Sequence, residues 1–113
     1  MKAQPLAPEL PPPIIACWSA ANKASIEEAA ACFAADAVVN DEGRIHQGPG
    51  AIRSWIEGTT RQYQPTVEAR AATEKDGRHL VTARVTGTFP GNPGELSFGF
   101  TLRDGKILRL EVV

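Results

Sequence analysis

Three residues that can hold or move a proton near neutral pH fall within "NDEGRIHQ": Asp41, Glu42 and His46. Asp41 closely follows the valines Val38 and Val39, and His46 comes after Gly43. A carboxylate set against apolar walls loses part of its hydration. So placed, it is suited to taking a proton from carbon next to a carbonyl. An imidazole across a tight turn would carry that proton onward. The same aspartate also suits a plainer task, opening a turn and accepting from backbone N–H groups. Asp41 is therefore the candidate catalytic base and His46 its candidate helper. His79 follows a "DG" turn and is expected to face water.

Such a base needs walls. Cys17, Trp18, Phe33, Val39, Trp55, Tyr63 and Phe98 are the candidates for lining a ligand site. Aromatic residues at helical spacing pack a core as readily as they line a pocket. No group of residues has the spacing of a metal site, and no cofactor is expected. Cys17 and Cys32 lack the C-x-x-C pattern and are expected as reduced thiols. "GPGAIRSW" has glycines ahead of a helix but not the lysine or spacing of a phosphate loop.

A chain of 113 residues holds one core. The formal net charge of −1 gives no electrostatic basis for nucleic acid or an anionic membrane as partner. No apolar run approaches the roughly 20 residues that span a bilayer. "MKAQPLAPELPPP" has no apolar stretch of the secretory kind. The expected location is the cytoplasm. Residues 1–12 are expected to form a flexible Pro-rich tail, and residues 13–113 a single domain.

The elements that must position these residues follow from periodicity. Pro13 suits a first helical turn. Ile14, Cys17, Trp18 and Ala21 then share one face of a helix ending near Asn22. Ser25 and Glu28 have the spacing of a capping box for a second helix through "SIEEAAACFAAD". "AVVN", a turn at "DEG" and "RIHQ" predict a hairpin, with Gly43 at the positive φ that such turns need. That turn would bring Asp41 and His46 near each other. "GPG" opens a third helix with Ile52, Trp55 and Ile56 on one face. "PTVEARAAT", "HLVTARVTGTF", "ELSFGFTL" and "ILRLEVV" alternate as strands. In the second of these Val81, Ala83, Val85 and Phe89 share a side. "EKDG", "PGNPG" and "RDGK" are the turns between them. Gly87 and Gly99 interrupt strands, where a sheet can bend. Helices first and strands after predict an α+β fold: a cone-shaped, curved antiparallel sheet wrapped around N-terminal helices, with a cavity at its mouth.

The stretches "CFAADAVVNDEGRIHQGPGAIRSWI" and "VTGTFPGNPGELSFGFTLRDGKILRLEV" resemble the SnoaL-like branch of the nuclear transport factor 2-like superfamily. This implies a cystatin-like roll. The superfamily includes ketosteroid isomerase, polyketide cyclases, limonene epoxide hydrolase and non-catalytic domains, so fold alone does not fix activity. Similarity to ketosteroid isomerase puts Asp41 at the place of its base. The tyrosine that donates to the oxyanion there falls at Cys17, and the protonated acid near Phe98 or Gly99; neither place holds a strong donor here. No Asp–Arg–Asp set like that of the epoxide hydrolase is found. The resemblance also implies a homodimer through the outer sheet face, where Arg70, Thr82, Arg84 and Thr86 alternate with apolar positions. The expected function is binding of a small apolar molecule, with cofactor-free acid–base chemistry of the isomerase or cyclase type. The alternative is a non-catalytic ligand-binding or dimerisation module.

Overall fold

A computed structural model describes residues 10–88, 91 and 93–112. Three helices, α1 (Pro12–Asn22), α2 (Ile26–Ala30) and α3 (Pro49–Tyr63), accompany six strands. The strands are β1 (Phe33–Asp41), β2 (Arg44–Gln47), β3 (Thr66–Lys75), β4 (Arg78–Thr86), β5 (Gly94–Arg103) and β6 (Lys106–Val112). They form one open, curved sheet in the order β2-β1-β6-β5-β4-β3. This is the expected α+β roll. The β1–β6 pairing runs parallel, the remaining pairings antiparallel. Most of the expected tail, residues 1–9, lies outside the described residues, as does Phe89. Leu10 packs against the core, and Pro12 already belongs to α1.

Three of the hairpin turns share one chemistry. Asp41 pairs with Arg44, Lys75 with Arg78 and Arg103 with Lys106, so each loop has two residues. These are Glu42–Gly43, Asp76–Gly77 and Asp104–Gly105, all at positive φ. That is the type I′ geometry, whose twist matches the flanking strands.

Two local expectations give way to tertiary structure. Ser25 sits at the N-cap of α2, yet its side chain makes no capping bond, and Glu28 instead pairs with Lys23 at 3.4 Å. The second helix also stops at Ala30 rather than running through Phe33. The sheet captures the chain there: Ile107 N donates to Cys32 O at 2.8 Å, and Phe33 enters β1 opposite Ile107.

Gly87 lies in a bend just past the end of β4, but the irregularities within the strands are not at glycines. Pairing shifts within β1 between Phe33 and Val38, at Ala69/Ala71 in β3 and between Thr101 and Leu102. The ladder runs through Gly99 without a break, opposite Leu80 on one side and Glu111 on the other. Gly99 is small for another reason. A Cβ there would come within 2.5 Å of Arg78 Nη2, because the Arg78 guanidinium crosses the outer face at this point. It reaches Glu111 Oε1 at 2.6 Å.

The core lies between the helices and the inner sheet face. Ile14, Ile52, Val39, Val81, Phe100 and Ile107 are almost wholly shielded from solvent. Trp18 meets the edges of Phe98 and Phe100 at centroid distances of 5.2 and 5.6 Å, favoured geometry for aromatic pairs. Asn22 ties α1 to β3 by donating to Val67 O and accepting from Val67 N. No helix among the described residues is long and apolar enough to cross a membrane.

Candidate functional site

The sheet curves away from the helices at one end and leaves a cavity of about 430 Å³. Trp18 and Cys17 of α1 form one wall, and Phe33 of β1 and Phe98 of β5 another. The inward side of α3 supplies Trp55, Ile56, Thr59, Thr60 and Tyr63. Asp41 and Glu42, at the end of the first hairpin, line it too. Asp41 is half-buried and Glu42 is exposed, so this end of the cavity meets solvent.

Asp41 is held in place. Trp55 Nε1 donates to Asp41 Oδ2 at 3.0 Å, which fixes one carboxylate oxygen; the other has no side-chain partner among the described residues. The sequence explains the contact. Trp55 lies on the same helical stripe as Ile52 and Ile56, both buried, so core packing aims the indole at the hairpin.

His46 does not meet Asp41 directly. Across the hairpin Asp41 faces Arg44, and His46 faces Val39. The His46 ring instead packs on Trp55, with centroids 5.9 Å apart and planes tilted by 35°. The three residues thus form a row in which the indole separates imidazole from carboxylate. His46 is half-buried and does not line the cavity.

Of the expected lining residues, Cys17, Trp18, Phe33, Trp55, Tyr63 and Phe98 border the cavity. Val39 does not. It shares Asp41's face of β1 but lies two residues deeper, fully enclosed by the core. His79 lies apart from the cavity, half-buried and paired with Phe100 in the β4–β5 ladder. Among the described residues no group of acids, histidines and cysteines could hold a metal ion.

Cys17 and Cys32 are free thiols and neighbours, which their expected positions on separate helices did not suggest. Hydrogen bonding from the Cys17 thiol holds Cys32 down to about 7, with a further pull from the Lys106 ammonium. The same bond, with burial, pushes Cys17 well up. At Cys17, where the resemblance to ketosteroid isomerase leads one to expect an oxyanion donor, the thiol is engaged with Cys32.

Thr59, Thr60, Glu42 and Leu96 also border the cavity and were not anticipated. The threonines were within reach of the sequence, since Ile52, Ile56, Thr59 and Tyr63 continue one stripe at helical spacing. The Thr59 hydroxyl lies within bonding distance of the Trp55 and Ile56 carbonyls of its own helix. Leu96 carried no such signal. It alternates with Phe98 like a core residue, yet is 39% exposed because the sheet has diverged from the helices there.

The fold has counterparts among solved structures. A candidate polyketide cyclase from Sinorhizobium meliloti is 36% identical and superposes with a TM-score of 0.87, over 92% of this chain and 95% of that one. A protein of ketosteroid isomerase-like fold from Catenulispora acidiphila, solved with trimethylamine, is 19% identical with a TM-score of 0.80, covering 93% and 86%. A cystatin-fold protein from Novosphingobium aromaticivorans, 19% identical, has a TM-score of 0.74 over 89% and 94%. At these lower identities the likeness concerns fold alone. Among curated proteins none matches the chain. The SnoaL-like domain model matches residues 14–110, nearly the whole described chain, and the protein therefore belongs to the SnoaL-like domain family.

Proposed function

We propose that the cavity binds a small, mostly apolar molecule and that Asp41 acts on it as a proton acceptor without a cofactor. The chemistry is of the isomerase or cyclase type. The observation that carries this reading is an open, apolar cavity with one carboxylate fixed at its rim by Trp55 Nε1. Apolar walls bind the body of a substrate by removing its surface from water. A carboxylate whose position is already set loses little entropy when it engages the reacting carbon. His46 acts through Trp55, holding the indole that holds Asp41. The candidate polyketide cyclase from S. meliloti supports the same class of chemistry.

The test is deuterium exchange at carbon next to the carbonyl of small cyclic ketones in D₂O, followed by NMR. Catalysed exchange that falls at least about a hundredfold in Asp41→Asn supports the base role. Equal exchange in the variant removes Asp41 from the mechanism.

A non-catalytic binding module is the second reading. What favours it is the weak donor set: the Cys17 thiol is engaged with Cys32, and Phe98 has no polar atom. Ketones that bind without any exchange above buffer would decide for it. The same proposal includes a homodimer through the outer sheet face around Thr82, Arg84 and Thr86, tested by sedimentation of wild type against Arg84→Glu. A cytoplasmic setting fits the two free thiols.

A further inference from the structure

We infer that the ligand of this cavity is an amphiphilic cation, an amine or quaternary ammonium head on a compact apolar body. The inference rests on the cavity being a ligand site and names what that site selects. Among the described residues its charged lining is of one sign: Asp41 and Glu42 border it, and no lysine, arginine or histidine does. The rest is apolar or aromatic, apart from Thr59, Thr60 and the Tyr63 phenol.

The two acids are also uncompensated. Several carboxylates elsewhere find cations, Glu27 with Arg53, Asp36 with Arg103, Glu57 with Arg61 and Glu111 with Arg78, while Glu74, Asp76, Glu95 and Asp104 have no ion pair among the described residues and do not border the cavity. Neither Asp41 nor Glu42 has an ion pair among the described residues, although Arg44 faces Asp41 across the hairpin. Asp41 gives one oxygen to Trp55, a neutral donor that leaves the negative charge in place. The indole of Trp55 and the ring of Tyr63 border the same cavity, and aromatic faces attract cations. A ligand cation near Asp41 would thus meet a carboxylate and π-faces together, with its apolar body toward Phe33, Phe98 and Trp18. An anionic ligand would meet two like charges and no counter-charge.

The probes are 1-adamantanamine, 1-adamantanol and 1-adamantanecarboxylate, which share a body and differ in head charge. Binding is read by tryptophan fluorescence and by calorimetry at pH 7 and low salt. The expected order is amine, alcohol, carboxylate, with the amine preferred over the alcohol by about tenfold. That preference should shrink in 0.5 M NaCl, since partly exposed charges are screened. Asp41→Asn with Glu42→Gln should abolish it, bringing amine binding down to that of the alcohol in the same variant. Glu42→Gln alone, at an exposed turn, should reduce it without disturbing the fold. Alcohol binding equal to amine binding overturns the cation assignment and leaves the apolar site standing. Failure of all three, and of the matched octyl amine, alcohol and carboxylate, overturns the site itself.

Discussion

The bond from Trp55 to Asp41 can be weighed by removing each end. Trp55→Phe keeps an aromatic ring on the buried stripe of α3 but deletes the only side-chain donor to the carboxylate among the described residues. A hydrogen bond to a charged group contributes about 1.5–3 kcal/mol net when well buried. Both partners here are half-exposed, so water competes for each and the contribution falls to about 1 kcal/mol. The smaller ring also gives up packing against the cavity wall, roughly another 1 kcal/mol. The single variant should therefore lose about 2 kcal/mol, or roughly 8–16 °C in Tm for a domain of this size.

The packing loss is separable by a double-mutant cycle with Asp41→Ala. That variant loses the bond but not the indole, so the two losses should fall short of adding by about 1 kcal/mol. Urea unfolding followed by far-UV circular dichroism is the assay, because Trp55 is one of only two tryptophans and fluorescence would change with the substitution itself. A coupling below about 0.5 kcal/mol would mean that the carboxylate is not anchored by the indole. The fixed base on which the proposed chemistry rests would go with it.

Other predictions concern the outer face, the thiols and the turns. Gly99→Ala should be nearly neutral in the wild type. A strand gains about 0.5–1 kcal/mol from alanine, while the displaced Arg78 forfeits a surface pair of similar size. In an Arg78→Ala background the same change should stabilise, and equal effects in both backgrounds would show that Arg78 does not cross Gly99. Alkylation of Cys32 by iodoacetamide should titrate near pH 7, and Lys106→Met should move the midpoint up. Because folding lowers this thiol's pKa, the unfolded chain binds more protons between about pH 7 and 9, so stability rises with pH across that window. The gain is lost as pH falls through 7, and Cys17, shifted the opposite way, opposes it at higher pH. A Cys32→Ser variant with an unchanged stability profile would count against this. Gly77→Ala places a side chain at φ +78° and should cost roughly 1–2 kcal/mol in urea melts.

What could be read directly from the chain were features decided by neighbours in sequence. Loops of an acid followed by glycine fixed the hairpins, because few other pairs accept two positive φ angles in succession. The stripe through Ile52, Trp55 and Ile56 settled which face of α3 is buried. The resemblance carried by residues 32–56 and 85–112 pointed to the family. Tertiary structure alone decided the rest. The second helix yields to β1 because Phe33 gains a strand partner and a core position that outweigh the alanines' helical preference. Val39 and Asp41 share a strand face, yet one is sealed in the core and the other borders the cavity, a difference that alternation along β1 does not carry. His46 and Asp41 are close in sequence, but the hairpin register sets them out of step and a tryptophan from another element fills the space between. Distances of this kind depend on register, bulges and the docking of α3, and no local pattern encodes them.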